Sequence, residues 1–213
     1  MKWIQWTLIV VGLVLVGFWL GARLHARVGG DADIRKFEQA RAEARQPTTP
    51  VVAPDELPLE LPVDTTLWAE DRVEEFEESL EHEFDAPLAI LRIPKIDLEV
   101  AVLTGTSELV LNRGVGHITG TPLPGEAGNI GIAGHRDGYF RGLKDIALGD
   151  VIQIETLRGG SDYTITETWI VEPPDVWVLD PTESPSVTLV TCYPFYYAGS
   201  APKRFIVRAE KSE

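Results

Sequence analysis

The sequence contains very little cysteine. Its 213 residues include a single one, Cys192. One thiol cannot close an intramolecular disulfide, so the fold does not depend on such a bridge. The chain also lacks a basic stripe, because its formal net charge is −14. Proteins that bind phosphate backbones carry clustered Lys and Arg, so we expect no nucleic-acid partner.

The negative charge is concentrated in one stretch. Residues 1–45 carry +3, residues 46–85 carry −12 and residues 86–213 carry −5. No internal repeat and no long helical pattern appear in the last of these segments. The acidic stretch therefore precedes a separate, mildly acidic domain at residues 86–213.

Residues 3–22 contain no charged side chain and are almost entirely apolar. Twenty such residues in a helix match the hydrocarbon thickness of a bilayer, and tryptophans near both ends suit its interfaces. A cleaved signal peptide is the alternative, but the small-residue cleavage site is weak. The pattern favours an uncleaved transmembrane anchor at residues 1–24.

A juxtamembrane segment and a proline-rich spacer are predicted over residues 25–64. Residues 31–45 favour a short exposed helix because they are rich in Ala, Glu, Gln and Arg. Five prolines between residues 47 and 62 indicate an extended connection. Residues 65–85 then predict an acidic amphipathic helix that docks on the following domain. Its apolar stripe comprises Val73, Phe76, Leu80 and Phe84.

From Pro87 onward, short runs rich in Ile, Val and Thr alternate apolar and polar residues between turn signals. Such runs, with at most a helical turn at residues 140–147, predict an all-β domain built as an antiparallel barrel or sandwich.

Cys192 ends the strongest predicted strand, in TLVTCYPF, and a polar-aromatic loop follows it. A residue at a strand end beside a loop is held firmly yet can be reached, as nucleophilic catalysis requires. A buried cysteine acting as a small apolar side chain is the alternative.

A catalytic thiol needs a base or proton donor, for which histidine is the usual residue. His135 follows a predicted strand in IAGHRD, and His117 lies in a turn-rich connection where a structural hydrogen bond is favoured. Acyl transfer also needs donors for an oxyanion. Arg204 and Arg208 lie on the same face of the last predicted strand, and the pattern does not choose between them.

Three blocks occur in order: IAGHRD, TLVTCYPF and KRFIVRA. Together with LRIPKIDLEVAVLTG and NRGVGHITGTPLPGEAGN, they resemble the sortase family, most closely its class D members, over residues 86–210. The resemblance implies an eight-stranded β-barrel with short helices at residues 86–213. It implies catalytic roles for His135, Cys192 and Arg204, and a substrate- or oxyanion-positioning role for Thr191. No metal or other cofactor is implied.

The resemblance also implies a transpeptidase that cleaves a Leu-Pro-any-Thr-Gly or -Ala signal after Thr. The partners would be proteins that carry this C-terminal signal and an amine acceptor in the cell envelope. The expected location is the bacterial cytoplasmic membrane, with the domain on the extracytoplasmic side. The alternatives are a membrane-anchored cysteine endopeptidase, in which water resolves the thioester, and a non-enzymatic tethered β-domain.

Overall fold

The computed structural model describes residues 34–39, 41, 63, 65, 66, 68–197 and 199–212. The predicted anchor and nearly all of the proline-rich stretch lie outside these residues. Within the described part of the chain, no helix is both long enough and apolar enough to cross a membrane.

Eight strands close into a barrel in the order β1-β2-β3-β4-β7-β8-β6-β5. The eight-stranded prediction is thereby confirmed. The strands are β1 (Ala89–Ile93), β2 (Leu98–Thr104), β3 (Val115–His117), β4 (Asn129–Ala133), β5 (Val151–Thr156), β6 (Gly159–Val171), β7 (Ser186–Tyr193) and β8 (Lys203–Lys211). Three short 3₁₀ helices join them, at Pro94–Ile96, Tyr139–Asp145 and Val176–Leu179, and an α-helix spans Glu108–Arg113.

Where apolar and polar residues alternate along a strand, one face of that strand lies in the core. In β5, Ile152 and Ile154 are buried while Gln153 between them is half-buried. Strand β7 is buried over most of its length, and the Val176–Leu179 segment covers the neighbouring β4, where Leu179 lies against Gly131 and Val178 accepts from Asn129. Long apolar runs are typical of strands that are covered on both faces.

The expectation of a purely antiparallel sheet is wrong at two places. Strand β3 runs parallel to β2, and β7 runs parallel to β4. Parallel neighbours need a crossover connection, because a hairpin can only join antiparallel strands. The long segments between β2 and β3 and between β4 and β7 supply these crossovers.

The acidic amphipathic segment forms an α-helix at Glu70–Ser79. Phe76 is fully buried in the main core, and Trp68 makes edge-to-face contacts with both Phe76 and Tyr139. Phe→Ala substitutions at such sites typically cost about 3–5 kcal/mol. The helix is shorter than the predicted 65–85, since Leu80 and Phe84 lie beyond its last residue, but Phe76 on it contributes to the core.

The helix expected to be exposed within residues 31–45 is not solvated all round. Residues 34–39 and 41 are helical, and Phe37 is fully buried in a second apolar cluster with Ile90 and Leu103. Arg41 also forms an ion pair with Glu155 of β5. Ile34 packs against the same cluster, but two large apolar residues in a mostly polar stretch do not establish a helical stripe, which is why the sequence pattern missed this contact.

Candidate active site

Cys192 and Arg204 lie directly opposite each other on neighbouring antiparallel strands. Cα pairing in the β7–β8 ladder joins Cys192 to Arg204. The thiol is free and half-buried. Nη1 of Arg204 donates to the carbonyls of Ala201 and Lys203, at 3.4 and 3.0 Å. The register thus places the Arg204 residue directly across from Cys192, near the end of β7 and the beginning of β8.

His135 reaches the same end of the barrel through β4. The β4–β7 ladder pairs Ala133 with Val190, and the Gly134 N–H donates to the Val190 carbonyl at 3.1 Å. His135 lies two residues after Ala133, just beyond the end of β4, and Cys192 lies two residues after Val190 in the parallel neighbour β7. Backbone geometry therefore brings these two predicted site residues to the same level of the barrel end.

Thr191 is almost fully buried, and its hydroxyl donates to the Gly134 carbonyl at 2.8 Å. This bond connects the residue before Cys192 to the residue before His135. Direct contact between Thr191 and a substrate stays a prediction. The hydrogen bond itself fixes the two strand ends relative to each other.

Residue 134 must be glycine because the Phe140 ring lies too close to its backbone for a side chain to fit. A Cβ at this position would lie 2.7 Å from the Phe140 ring, closer than real Cβ contacts. Phe140 is fully buried, so its ring has little room to move. The Ala-Gly-His order therefore follows from the packing of the turn that carries His135.

Burial lowers the pKa of His135 below its ordinary value, and the positive charge of Arg72 lowers it further. Glu108 and Asp137 act in the opposite direction and raise this pKa. Nε2 of His135 lies 3.2 Å from Glu108 Oε1, an ion-pair distance without hydrogen-bond alignment. The net effect favours the neutral imidazole.

Arg72 is a residue that the sequence analysis did not single out. Its Nε donates to Asp137 at 3.2 Å, and Nη1 binds Asn112, Glu75 and, at 3.5 Å, Glu108. The helix at Glu70–Ser79 is thereby joined to the turn that follows His135. Arg72 is the lone basic residue of the acidic stretch 46–85, and that isolation is the signal that could have revealed it.

The competing candidates have structural partners. His117 is buried, and its Nε2 lies 3.0–3.2 Å from the carbonyls of Thr121 and Pro122 and from the Thr121 hydroxyl. Arg208 donates to Thr188 at 3.3 Å and to the Val178 carbonyl, and it lies over the Trp169 ring. Both side chains hold loops in place, as the sequence analysis favoured for His117.

No group of three or more His, Cys, Asp or Glu side chains in the described part of the chain is arranged to hold a metal ion.

The protein is therefore a closed eight-stranded β-barrel in which a cysteine and an arginine lie opposite each other on neighbouring strands. The sortase-domain family model matches residues 91–212, which is more than half of the chain. The chain belongs to the sortase family, and the resemblance seen in the motifs is confirmed.

Individual relatives agree with this assignment. Sortase D of Bacillus subtilis strain 168 is 38% identical over 123 residues, which are 57% of this chain and 62% of that protein. Sortase SrtE1 of Streptomyces coelicolor is 37% identical over 125 residues, 50% of this chain and 36% of that protein. The matched regions thus span less than two thirds of these relatives' own lengths.

Solved structures give the same fold. A Clostridium perfringens sortase D5 transpeptidase superposes with a TM-score of 0.59 at 26% identity, covering 85% of this chain and 98% of that one. Listeria monocytogenes sortase A gives a TM-score of 0.54 at 28% identity, covering 61% of this chain and 89% of that one.

Proposed function

We propose that the protein is a cysteine transpeptidase that uses Cys192 as its nucleophile, with His135 and Arg204 as its partners. The observation that carries the proposal is the cross-strand pairing of Cys192 with Arg204 at the barrel end where β4 delivers His135. Membership of the sortase family supports the same chemistry.

The proposed substrate is a protein with a Leu-Pro-any-Thr-Gly or -Ala signal near its C-terminus. His135, neutral at rest, takes the proton of the Cys192 thiol. The sulfur attacks the threonine carbonyl carbon, and Arg204 donates to the oxyanion that forms. The C–N bond to the following residue then breaks, and His135 supplies the proton to the departing amine. A thioester between Cys192 and threonine remains.

An amine from the cell envelope or from another protein resolves the thioester in the second step. Its nitrogen attacks the thioester carbonyl, the C–S bond breaks and the proton lost by the amine passes through His135 to the departing Cys192 sulfur. Cys192 returns to its starting state, and one amide has replaced another. The reaction requires only the thiol, a proton carrier and an oxyanion donor.

The decisive experiment incubates the full chain with a panel of sorting-signal peptides, with and without amine acceptors, and identifies products by mass spectrometry. An amine-dependent product and a thioester adduct on Cys192 support the transpeptidase. Cleavage to the free acid at an unchanged rate with added amine indicates an endopeptidase. If no peptide of the panel gives a product or an adduct, the remaining alternative is a non-enzymatic tethered domain.

The second part of the proposal places the protein in the bacterial cytoplasmic membrane, anchored by residues 1–24, with the barrel on the extracytoplasmic side. Its support is the uncharged, apolar stretch at residues 3–22. The full chain should resist alkaline carbonate extraction, and added protease should reach the barrel in spheroplasts. Release by carbonate, or protection from protease, would contradict the anchor or the orientation.

A further inference from the structure

Two buried arginines hold the loop that follows Cys192. Arg136 and Arg141, hereafter the arginine pair, are each only 8% exposed. Arg136 lies in the turn that begins at His135, and Arg141 lies in the 3₁₀ helix that follows this turn. Among the described residues, neither takes part in an ion pair with a carboxylate.

The partners of the arginine pair are backbone carbonyls. Arg136 donates to Pro194 at 3.1 Å, to Tyr197 at 2.9 Å and to Gly199 at 3.0 Å. Arg141 donates to Phe195 at 2.7 Å. Four carbonyls within residues 194–199, which connect Cys192 to Arg204, are thus fixed by the turn that carries His135.

The aromatic side chains of this loop lie over the same guanidinium groups. Arg141 is 4.7 Å from the Tyr196 ring centroid, and Arg136 is 5.8 Å from that of Tyr197. Both tyrosines remain exposed, at 71% and 50%. The arginine pair therefore supports the loop from beneath and presents two aromatic rings to solvent close to Cys192 in the chain.

Burying a guanidinium costs several kcal/mol unless its donors are satisfied. A purely structural loop could be held more cheaply by apolar packing. Arg136 offers what apolar packing cannot, namely N–H donors in fixed directions that reach three separate carbonyls. Arg141 makes one such bond, and its buried Nε has no hydrogen-bond partner among the described residues. These directed hydrogen bonds therefore fix the position of the loop.

We propose that Arg136 and Arg141 are positioning residues that couple the His135 turn to the loop between Cys192 and Arg204 and set the surface on which substrate or acceptor binds. The strand register holds Cys192 itself without their help. Loosening the loop should therefore impair binding beside the thiol more than the chemistry at the thiol. This inference rests on the proposed transpeptidase function.

The test uses the full chain as wild type, Arg136→Lys, Arg141→Lys and Arg208→Lys. Arg208 is the matched control, because it also donates to a backbone carbonyl but binds a different segment, at Val178. We expect KM for the sorting-signal peptide to rise about tenfold in Arg136→Lys, with kcat falling less than threefold, since lysine cannot reach three carbonyls at once. Arg208→Lys should keep both constants within twofold.

A second measurement does not depend on the substrate. Hydrogen exchange of residues 193–203 should quicken in Arg136→Lys and Arg141→Lys and stay unchanged in Arg208→Lys, with the core strands equally protected in all four proteins. Unchanged exchange and kinetics in both pair variants, or an equal KM rise in Arg208→Lys, would overturn the inference. If wild type turns over no peptide, the proposed function fails, and the exchange result still decides whether the pair holds the loop.

Discussion

Strands β4, β7 and β8 have two ends that differ in how their polar groups are used. At the end where β4 begins, Asn129 is fully buried and satisfied. Its Nδ2 donates to the carbonyls of Val178 and Asp180 at 3.1 and 3.0 Å, and its Oδ1 accepts from Ser186 and Thr188 at 3.3 and 2.6 Å. We call this the closed end.

At the other end, which we call the open end, the same strands deliver His135, Cys192 and Arg204. Cys192 is half-buried, and both hydrogen bonds of Arg204 come from Nη1. At the closed end, the donors and acceptors are paired with each other within the fold, as is usual for buried polar groups. The open end keeps polar groups that can act on another molecule. The comparison separates two arginines on one strand, Arg204 at the open end and Arg208 at the closed end.

The largest effect is expected for Cys192→Ala. Without the thiol there is no acyl-enzyme, so transpeptidation should fall by at least about 10⁴-fold, as for loss of other catalytic nucleophiles. The melting temperature should change little, because the side chain is small and half-buried. Peptide turnover and intact-mass detection of the adduct provide the measurement. Substantial residual transpeptidation would show that the open end is not where catalysis occurs.

Arg204→Lys should have the next largest effect. A flexible ammonium cannot reproduce the fixed N–H directions of a guanidinium, so kcat should fall at least about tenfold. Arg208→Lys should remain within twofold, since Arg208 serves the closed end. Steady-state turnover of a quenched sorting-signal peptide measures both, with circular dichroism as the control for folding. A larger loss in Arg208→Lys would reverse the comparison.

The pKa of His135 should respond in opposite directions to two substitutions. Arg72→Met removes a charge that lowers this pKa and should raise it, whereas Glu108→Gln removes one that raises it and should lower it. NMR titration of the His135 ring, assigned with His135→Gln, measures both. Shifts in the same direction would show that charge at these positions does not control the imidazole.

The same shift predicts a dependence of stability on pH. Since the folded pKa of His135 lies below its ordinary value, the unfolded chain binds the proton first as the pH falls. The contribution of His135 to stability is therefore fully present above about pH 6.5 and is lost as the pH falls from there towards the folded pKa. Denaturation midpoints across this range should fall less steeply in Arg72→Met than in wild type.

The smallest effect on catalysis is expected at the closed end. Asn129→Ala removes the acceptor of the buried Thr188 hydroxyl, whereas the Val178 carbonyl keeps Arg208 and the Ser186 hydroxyl keeps Thr182. The cost should be about 1–3 kcal/mol for the buried group left unsatisfied. The melting temperature should fall by several degrees. Turnover per folded molecule, corrected for active sites by thiol titration, should stay within twofold. A tenfold loss of corrected turnover would show that the two ends are not independent.

The pattern of the residues predicted an all-β domain, and the resemblance carried by the three blocks predicted the eight-stranded barrel and the candidate site. Alternating apolar residues marked the strands, and the residues around His135, Cys192 and Arg204 identified the family. Short-range patterns also located the helical turn that the structure has at Tyr139–Asp145. These features could be predicted because each depends on residues that are close together in the sequence.

The parts that the sequence did not reveal depend on distant contacts. The parallel pairing of β4 with β7 joins segments 57 residues apart, and nothing local in either strand specifies it. The contacts of Arg72 with Asp137 and of Arg136 with Gly199 span 65 and 63 residues. A single charged side chain carries no periodicity, so its partner cannot be read from its neighbours.

The burial of Phe37 bears on how far the barrel can lie from the proposed membrane anchor. Arg41 is paired with Glu155, and Val63 packs against the main core, so the proline-rich stretch between them starts and finishes on the barrel. The length of this stretch therefore does not increase the distance that the barrel can move away from the membrane. With the proposed anchor at residues 3–22, only the dozen residues up to Ile34 separate bilayer and barrel, about 40 Å at full extension. Substrates and acceptors would have to come to the membrane surface, because the enzyme could not go out to meet them.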